Sequence, residues 1–363
     1  MLHRHILLLS FALSPLLSQA ALAQSWSGYD VGGTGEHASY ANGVNRSGEI
    51  VGSVEADSGV QSSFVARNGR LVLLEALGGE NGNANGINDS GIVVGTAQTH
   101  NRRWHAFMHF PDGRIEDLGT LGGPGSTARA INDRGQVIGY SDTSDGRWRG
   151  FLYEDGHMTD LGTLGGRFSA PMGINTAGTV VGMSELSDGH RHAFVYTRER
   201  GMVDIGTLGG RHSVASGINE AGLVVGTSET ATHRWHAFTW DGTRMRDLGP
   251  AIGEGNSYAA AVNGHGKIVG TYIDGMHRTF VYDGSDTRFL VNEDSLYRPA
   301  AINDAGLIVG QRYAGGHMKA SMLIPSSRAL PSFKVQKFML ILAALGLFLA
   351  ALEVRRQRGA GAF

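Results

Sequence analysis

Asn219-Glu220-Ala221-Gly222-Leu223-Val224-Val225-Gly226 is the stretch on which the fold turns. An asparagine and a glycine three residues later form a tight turn, and the apolar β-branched run that follows is a short strand. The pattern Asn-x-x-Gly-x-apolar-apolar-Gly recurs at Asn45, Asn88, Asn132, Asn175, Asn219, Asn263 and Asn303, at spacings of 43, 44, 43, 44, 44 and 40 residues. Outward from the turn the other parts of one copy follow in order. Ser213 to Asn219 is a small, partly alternating segment, Leu223 to Ser228 is β-branched and apolar, Trp235 to Trp240 alternates large side chains, and Arg244 to Leu248 follows the Asp241-Gly242 turn. These are four short antiparallel strands, and about 43 residues with four strands is the size of one propeller blade.

Two further markers keep the same register. A phenylalanine recurs at Phe64, Phe107, Phe151, Phe194, Phe238 and Phe280, with Met322 expected in its place in the last copy. Asp-Leu-Gly-Thr-Leu-Gly-Gly is complete at Asp117 to Gly123 and at Asp160 to Gly166, nearly so at Asp204 to Gly210, and eroded at Leu77 to Gly79 and Asp247 to Gly249. No segment has the 3.6-residue period of a helical solenoid. The last copy supplies three strands and lacks a fourth. Tyr29-Asp30-Val31-Gly32-Gly33 is a spare segment at the other end, expected to pair into the last blade and close the ring. The expected fold is therefore all-β: a seven-bladed β-propeller over residues 24–325, with a linear β-solenoid as the alternative.

The ends are addresses. His3, Arg4 and His5, an apolar stretch from Ile6 to Leu17 and the small-x-small site Ala21-Leu22-Ala23 read as a signal peptide over residues 1–23. A linker over 326–337 leads to the uncharged run Phe338 to Leu352 and then to Arg355, Arg356 and Arg358. Fifteen helical residues rise about 22 Å against a core of about 30 Å, so Lys337 must snorkel and Val354 must extend the span. The expectation is one transmembrane helix over 338–354 and a basic cytoplasmic tail over 355–363. The chain is then exported and membrane-anchored, with the propeller in the periplasm or at the cell surface.

His105-Ala106-Phe107, His192-Ala193-Phe194 and His236-Ala237-Phe238, together with the Leu-Gly-Thr-Leu-Gly-Gly runs, resemble the HAF-repeat family of extracellular bacterial proteins, over nearly the whole mature chain. The resemblance implies no particular activity. Members often end in a sorting signal of the PEP-CTERM type; here the helix and basic tail are present and Pro-Glu-Pro is not, which makes a simple anchor the expected arrangement.

Composition narrows the function. With 31 basic and 33 acidic residues the net charge is −2, so no global field draws in nucleic acid. The absence of cysteine excludes disulfides and thiolate chemistry. The 55 glycines are about twice ordinary usage and fit a turn-rich repeat. The His-Ala-Phe histidines suggest a metal site, but third-strand positions lie away from a propeller axis, and Ser62, Arg149 and Arg278 break the set. The Asn-Asp-x-Gly turns lack the further oxygens of a calcium loop. No Gly-x-Ser-x-Gly or His-Glu-x-x-His motif is present. Scattered acids such as Glu185, Asp188 and Asp274 leave a glycan hydrolase as an alternative. No cofactor is expected, and the chain reads as a binding module rather than an enzyme.

The candidate binding residues lie in the loops between second and third strands: Arg103 and Trp104, Arg147 and Trp148, Arg191, and Arg234 with Trp235, flanked by Arg102, His190, His277 and Arg278. Arginine and tryptophan suit recognition of an envelope protein or polysaccharide. The structural alternative is a spacer protein whose tryptophans pack between blades and whose arginines solvate the rim.

Overall fold

The computed structural model of the protein describes residues 26–31, 37–290 and 296–325. The expected signal peptide, linker, transmembrane span and tail lie outside the described residues. Among the described residues no helix is long and apolar enough to cross a membrane.

In the copy that contains Asn219, the strands Gly209–Ile218, Val224–Thr230, Trp235–Trp240 and Met245–Asp247 pair antiparallel in sequence order. Four of the other copies give separate four-stranded sheets, the last with the N-terminal strand as its fourth member, and this copy belongs to a sheet of twelve strands. The larger sheet is three such groups joined by single parallel pairings, Trp148 with Phe168 and Arg191 with His212. The third strand agrees with the sequence expectation residue for residue. The first is longer, because the Gly-Gly pairs that end the Asp-Leu-Gly-Thr-Leu-Gly-Gly marker begin it: Gly122, Gly165 and Gly209 take φ of 96°, 107° and 100° and start the strand ahead of a register break. A short helical turn, Gly249–Ile252, stands where Pro250 interrupts the Leu-Gly-Thr-Leu-Gly-Gly pattern.

Each motif glycine has a separate cause. The first, as in Gly222 with φ of 80°, takes the left-handed conformation the turn requires. The second, as in Gly226, faces the fully buried Phe238 across the strand pair, and a Cβ there would lie 2.0 Å from the Val214 carbonyl oxygen. Phe64, Phe107, Phe151, Phe194, Phe238 and Phe280 all have no accessible surface, so this glycine–phenylalanine contact is the packing element of the repeat. The last copy departs from expectation: Ser321, not Met322, stands opposite Gly310.

The asparagines tie the copies together. Each buried Asn accepts, through Oδ1, the backbone N–H four residues on at 2.9–3.0 Å. Each also donates, through Nδ2, to the backbone carbonyl of the next copy's Asn: Asn45 to Asn88, and so on through Asn132, Asn175, Asn219 and Asn263 to Asn303, at 2.9–3.3 Å. Asn303 then donates to Asn45, and the circuit closes.

The N-terminal strand completes the last sheet. Trp26–Asp30 pairs antiparallel with His317–Pro325, Trp26 opposite Pro325 and Asp30 opposite Ser321. It begins three residues before the expected Tyr29, because Trp26 is buried in an apolar cluster with Ile308 and Leu323. Arg312 pairs with Asp30 at 2.7 Å, and Ser39 Oγ accepts the Ala320 N–H at 2.9 Å.

Candidate functional site

The loops between second and third strands are tight hairpins. Thr99, Thr143, Leu186 and Thr230 N–H groups donate to the carbonyls of Arg103, Arg147, His190 and Arg234 at 2.8–2.9 Å. Arg103, Arg147 and Arg234 therefore stand at equivalent points of three copies, and Trp104, Trp148, Arg191 and Trp235 each begin a third strand. Trp104 is 39% and Trp148 54% exposed, Trp235 is half-buried, and the arginines at 103, 147, 191 and 234 are exposed. The contacts of these side chains run outward to neighbours rather than to one another. Trp148 stacks on Tyr140 with ring centroids 5.6 Å apart, Trp235 lies parallel to His212 at 6.5 Å, and Arg191 sits over Phe168 at 5.6 Å. Arg147 pairs with Asp145 at 3.2 Å, and Arg234 donates to the Glu254 carbonyl. The structure thus places the expected residues at repeating, separated positions and does not gather them into one pocket.

The His-Ala-Phe histidines have a different use. Nδ1 of His105, His192 and His236 lies within hydrogen-bond distance of both carboxylate oxygens of Asp117, Asp204 and Asp247, at 2.8–3.0 Å. The same aspartates accept the N–H of Gly119, Gly206 and Gly249 at 2.7–2.8 Å. The histidine of one motif and the aspartate of another are thus partners within one copy. The signal was present in the sequence: histidine occurs only in copies that have this aspartate, and the positions opposite Phe64 and Phe280 hold Leu73 and Phe289 where histidine is absent. Among the described residues no group of three or more metal-ligating side chains is formed. Glu185, Asp188 and Asp274 are each engaged locally, with the Arg167 N–H, the His190 N–H and Arg278 respectively.

The first strands of all copies line a central channel of about 610 Å³. Nothing in the sequence announced its main feature. In every copy the pairing of first and second strands skips one residue, three positions before the ring asparagine: Asn42, Asn85, Arg129, Met172, Ser216, Ala260 and Ala300. Each is a β-bulge, and all seven residues line the channel. Asn42, Asn85 and Ser216 donate to the carbonyls of Ala84, Ala128 and Ala259 in the next copy, at 2.9, 2.8 and 2.6 Å. The frame residues repeat while the bulged ones do not.

Neither a protein-family model nor a curated protein matches this chain. Solved structures do. A puromycin hydrolase superposes with a TM-score of 0.54 at 16% identity, over 77% of this chain and 50% of its own. The β-propeller domain of the Trilobed protease from Pyrococcus furiosus gives 0.54 at 9% identity, over 79% and 93%. The structure of YCF48 bound to D1 peptide gives 0.51 at 10% identity, over 85% and 97%. The fold is a β-propeller. The chain spans about half the length of the puromycin hydrolase.

One expectation is corrected by this comparison. The reading of the chain as not an enzyme rested on the absence of catalytic motifs, yet its structural neighbours include a hydrolase and a protease propeller. A propeller can collect side chains that lie a whole blade apart in sequence, and no local motif records such a set.

Proposed function

We propose that the protein is a seven-bladed β-propeller of the HAF-repeat type, exported and held at a membrane by residues 338–354, which recognises a polysaccharide of the cell envelope through the arginine and tryptophan loops. The observation that carries this reading is the exposure of Trp104 and Trp148 at equivalent positions of adjacent copies, each with an arginine directly before it. A protein interface concentrates its energy in a contiguous, desolvated cluster. Here the aromatic faces are separated, and an extended polymer laid over the loops would meet them one at a time, each ring offering a stacking surface and each arginine a charged fork. The seven four-stranded groups and the asparagine circuit support the blade count. The signal-like leader and the apolar run before Arg355 support export and anchoring.

The test is binding of the purified full chain to envelope polysaccharide and envelope protein fractions, beside a variant carrying Arg147→Ala, Trp148→Ala, Arg234→Ala and Trp235→Ala. Saturable polysaccharide binding that the variant loses while its thermal transition is kept is the expected result. Binding confined to the protein fraction, or unchanged in the variant, overturns it.

A further inference from the structure

The channel wall carries charge of one sign only. Among its described lining residues the ionised groups at neutral pH are Arg129 and Arg298, and no carboxylate is present. Arg129 is the bulged residue of the third copy. Arg298 belongs to the seventh, three steps around the ring in one direction and four in the other, so the two guanidinium groups approach the axis from opposite sides. Neither has a hydrogen bond or ion pair among the described residues, whereas Arg147, Arg234, Arg278 and Arg312 all have one. Both arginines are exposed to the open channel. Partial desolvation by the surrounding wall, and to a smaller degree the charge of Arg298, still hold the Arg129 guanidinium below its ordinary value, against the opposing effect of the nearby Tyr140. The acids near the channel are elsewhere, around the asparagine circuit at its far mouth, and they are occupied. Asp89 accepts the Arg46 N–H, Asp133 that of Asp89, Glu220 that of Thr176 and Asp304 that of Gly264.

Two like charges that face one channel without a counter-charge repel each other, and an anion held between them offsets that repulsion. We infer that the channel is a binding site for a small oxyanion, a carboxylate- or phosphate-bearing molecule, clamped between Arg129 and Arg298, with Tyr40 of the lining as a further neutral donor. About 610 Å³ admits a molecule of monosaccharide or tricarboxylate size, within the range of ordinary ligand pockets. Planar guanidinium forks are suited to such oxyanions and take them bidentately. The site is independent of the loop surface, whose residues do not line the channel.

The experiment is calorimetric titration of the full chain with citrate, glucuronate and inorganic phosphate. The expected result is saturable one-to-one binding of at least one of them, weakened about tenfold or more by Arg129→Gln and by Arg298→Gln. It should be unchanged by Trp104→Ala with Trp235→Ala. Binding of phosphate alone assigns a phosphate-bearing ligand, and binding of citrate or glucuronate alone a carboxylate. A second variant, Ala300→Asp, puts a carboxylate into the channel on the same strand as Arg298. It should abolish anion binding and raise the melting temperature, because the internal acid supplies the missing counter-charge. No binding of any of the three up to about 10 mM, binding in both arginine variants as tight as in the wild-type chain, or undiminished binding in Ala300→Asp overturns the inference.

Discussion

The side-chain amide of Asn303 donates to the backbone carbonyl of Asn45 at 3.0 Å, across 258 residues of chain. It is the same bond that each earlier asparagine makes to its successor, so the last copy meets the first with the geometry of any neighbouring pair. Removing one donor leaves a buried carbonyl and a turn N–H without their partners, at about 1–3 kcal/mol. In a closed ring Asn303→Ala and Asn88→Ala, whose side chains make the same two bonds, should cost the same, and urea denaturation of the two variants measures this. A much smaller loss for Asn303→Ala would mean that the ring is open in solution.

The two motif glycines should respond unequally to alanine. At Gly222 a Cβ meets nothing within 4 Å, and only the φ of 80° opposes it, which costs about 1–2 kcal/mol. At Gly226 the Cβ would stand 2.0 Å from the Val214 carbonyl and 2.8 Å from the Phe238 ring. Neither can retreat, because both belong to the packed centre of the blade. Gly226→Ala should destabilise by about 3 kcal/mol or more, seen as a lower denaturation midpoint at unchanged slope.

The His105–Asp117 pair can be isolated by a double-mutant cycle. Both side chains are partly accessible, at 19% and 41%, so a coupling energy of about 0.2–1 kcal/mol is expected at neutral pH. Asp117→Ala alone should cost more than His105→Ala alone, because Asp117 also holds the Gly119 N–H. Chemical denaturation of the two single variants and the double variant provides the three numbers.

Alkaline pH should weaken the third copy. Burial first, and then the hydrogen bond that its hydroxyl donates to Glu116 at 2.6 Å, push Tyr153 up to about 12. The fold thus favours the protonated phenol relative to the unfolded chain, where it titrates near about 10. The resulting stabilisation is complete below pH about 10 and is lost as pH rises from there towards about 12. The melting temperature should fall more steeply over that range in the wild-type chain than in Tyr153→Phe, as followed by circular dichroism.

The frame was legible in the sequence because it repeats. Trp235–Trp240 was bounded correctly, since alternation of large side chains ends abruptly at Asp241-Gly242. The closing strand was found because the last copy was one strand short, although its start was misplaced by three residues: Trp26 stands outside the motif, and only its burial marks it as paired. The asparagine was read as a local turn residue, which accounts for Oδ1 alone; the bond from Nδ2 to the next copy is invisible without the ring. For the same reason histidine and aspartate were read as two motifs rather than one contact. Arg129 and Arg298 were passed over altogether, because a bulge leaves no periodic trace and an arginine in a strand resembles any solvated one.

The bulges have a consequence for how the molecule tolerates change. A residue that skips the strand ladder contributes little to holding its blade together, so Met172, Ala260 or Ala300 can be exchanged for side chains of other chemistry at small cost to folding. The tightly determined positions, glycine, phenylalanine and asparagine, carry the architecture, while these loosely determined ones face the axis. The protein is in this sense a fixed loom in which the threads at Arg129, Met172, Ala260 and Ala300 can be recoloured separately, while those at Asn42, Asn85 and Ser216 also bond the next copy, and a channel of new selectivity can be obtained from it by altering side chains that the architecture does not use.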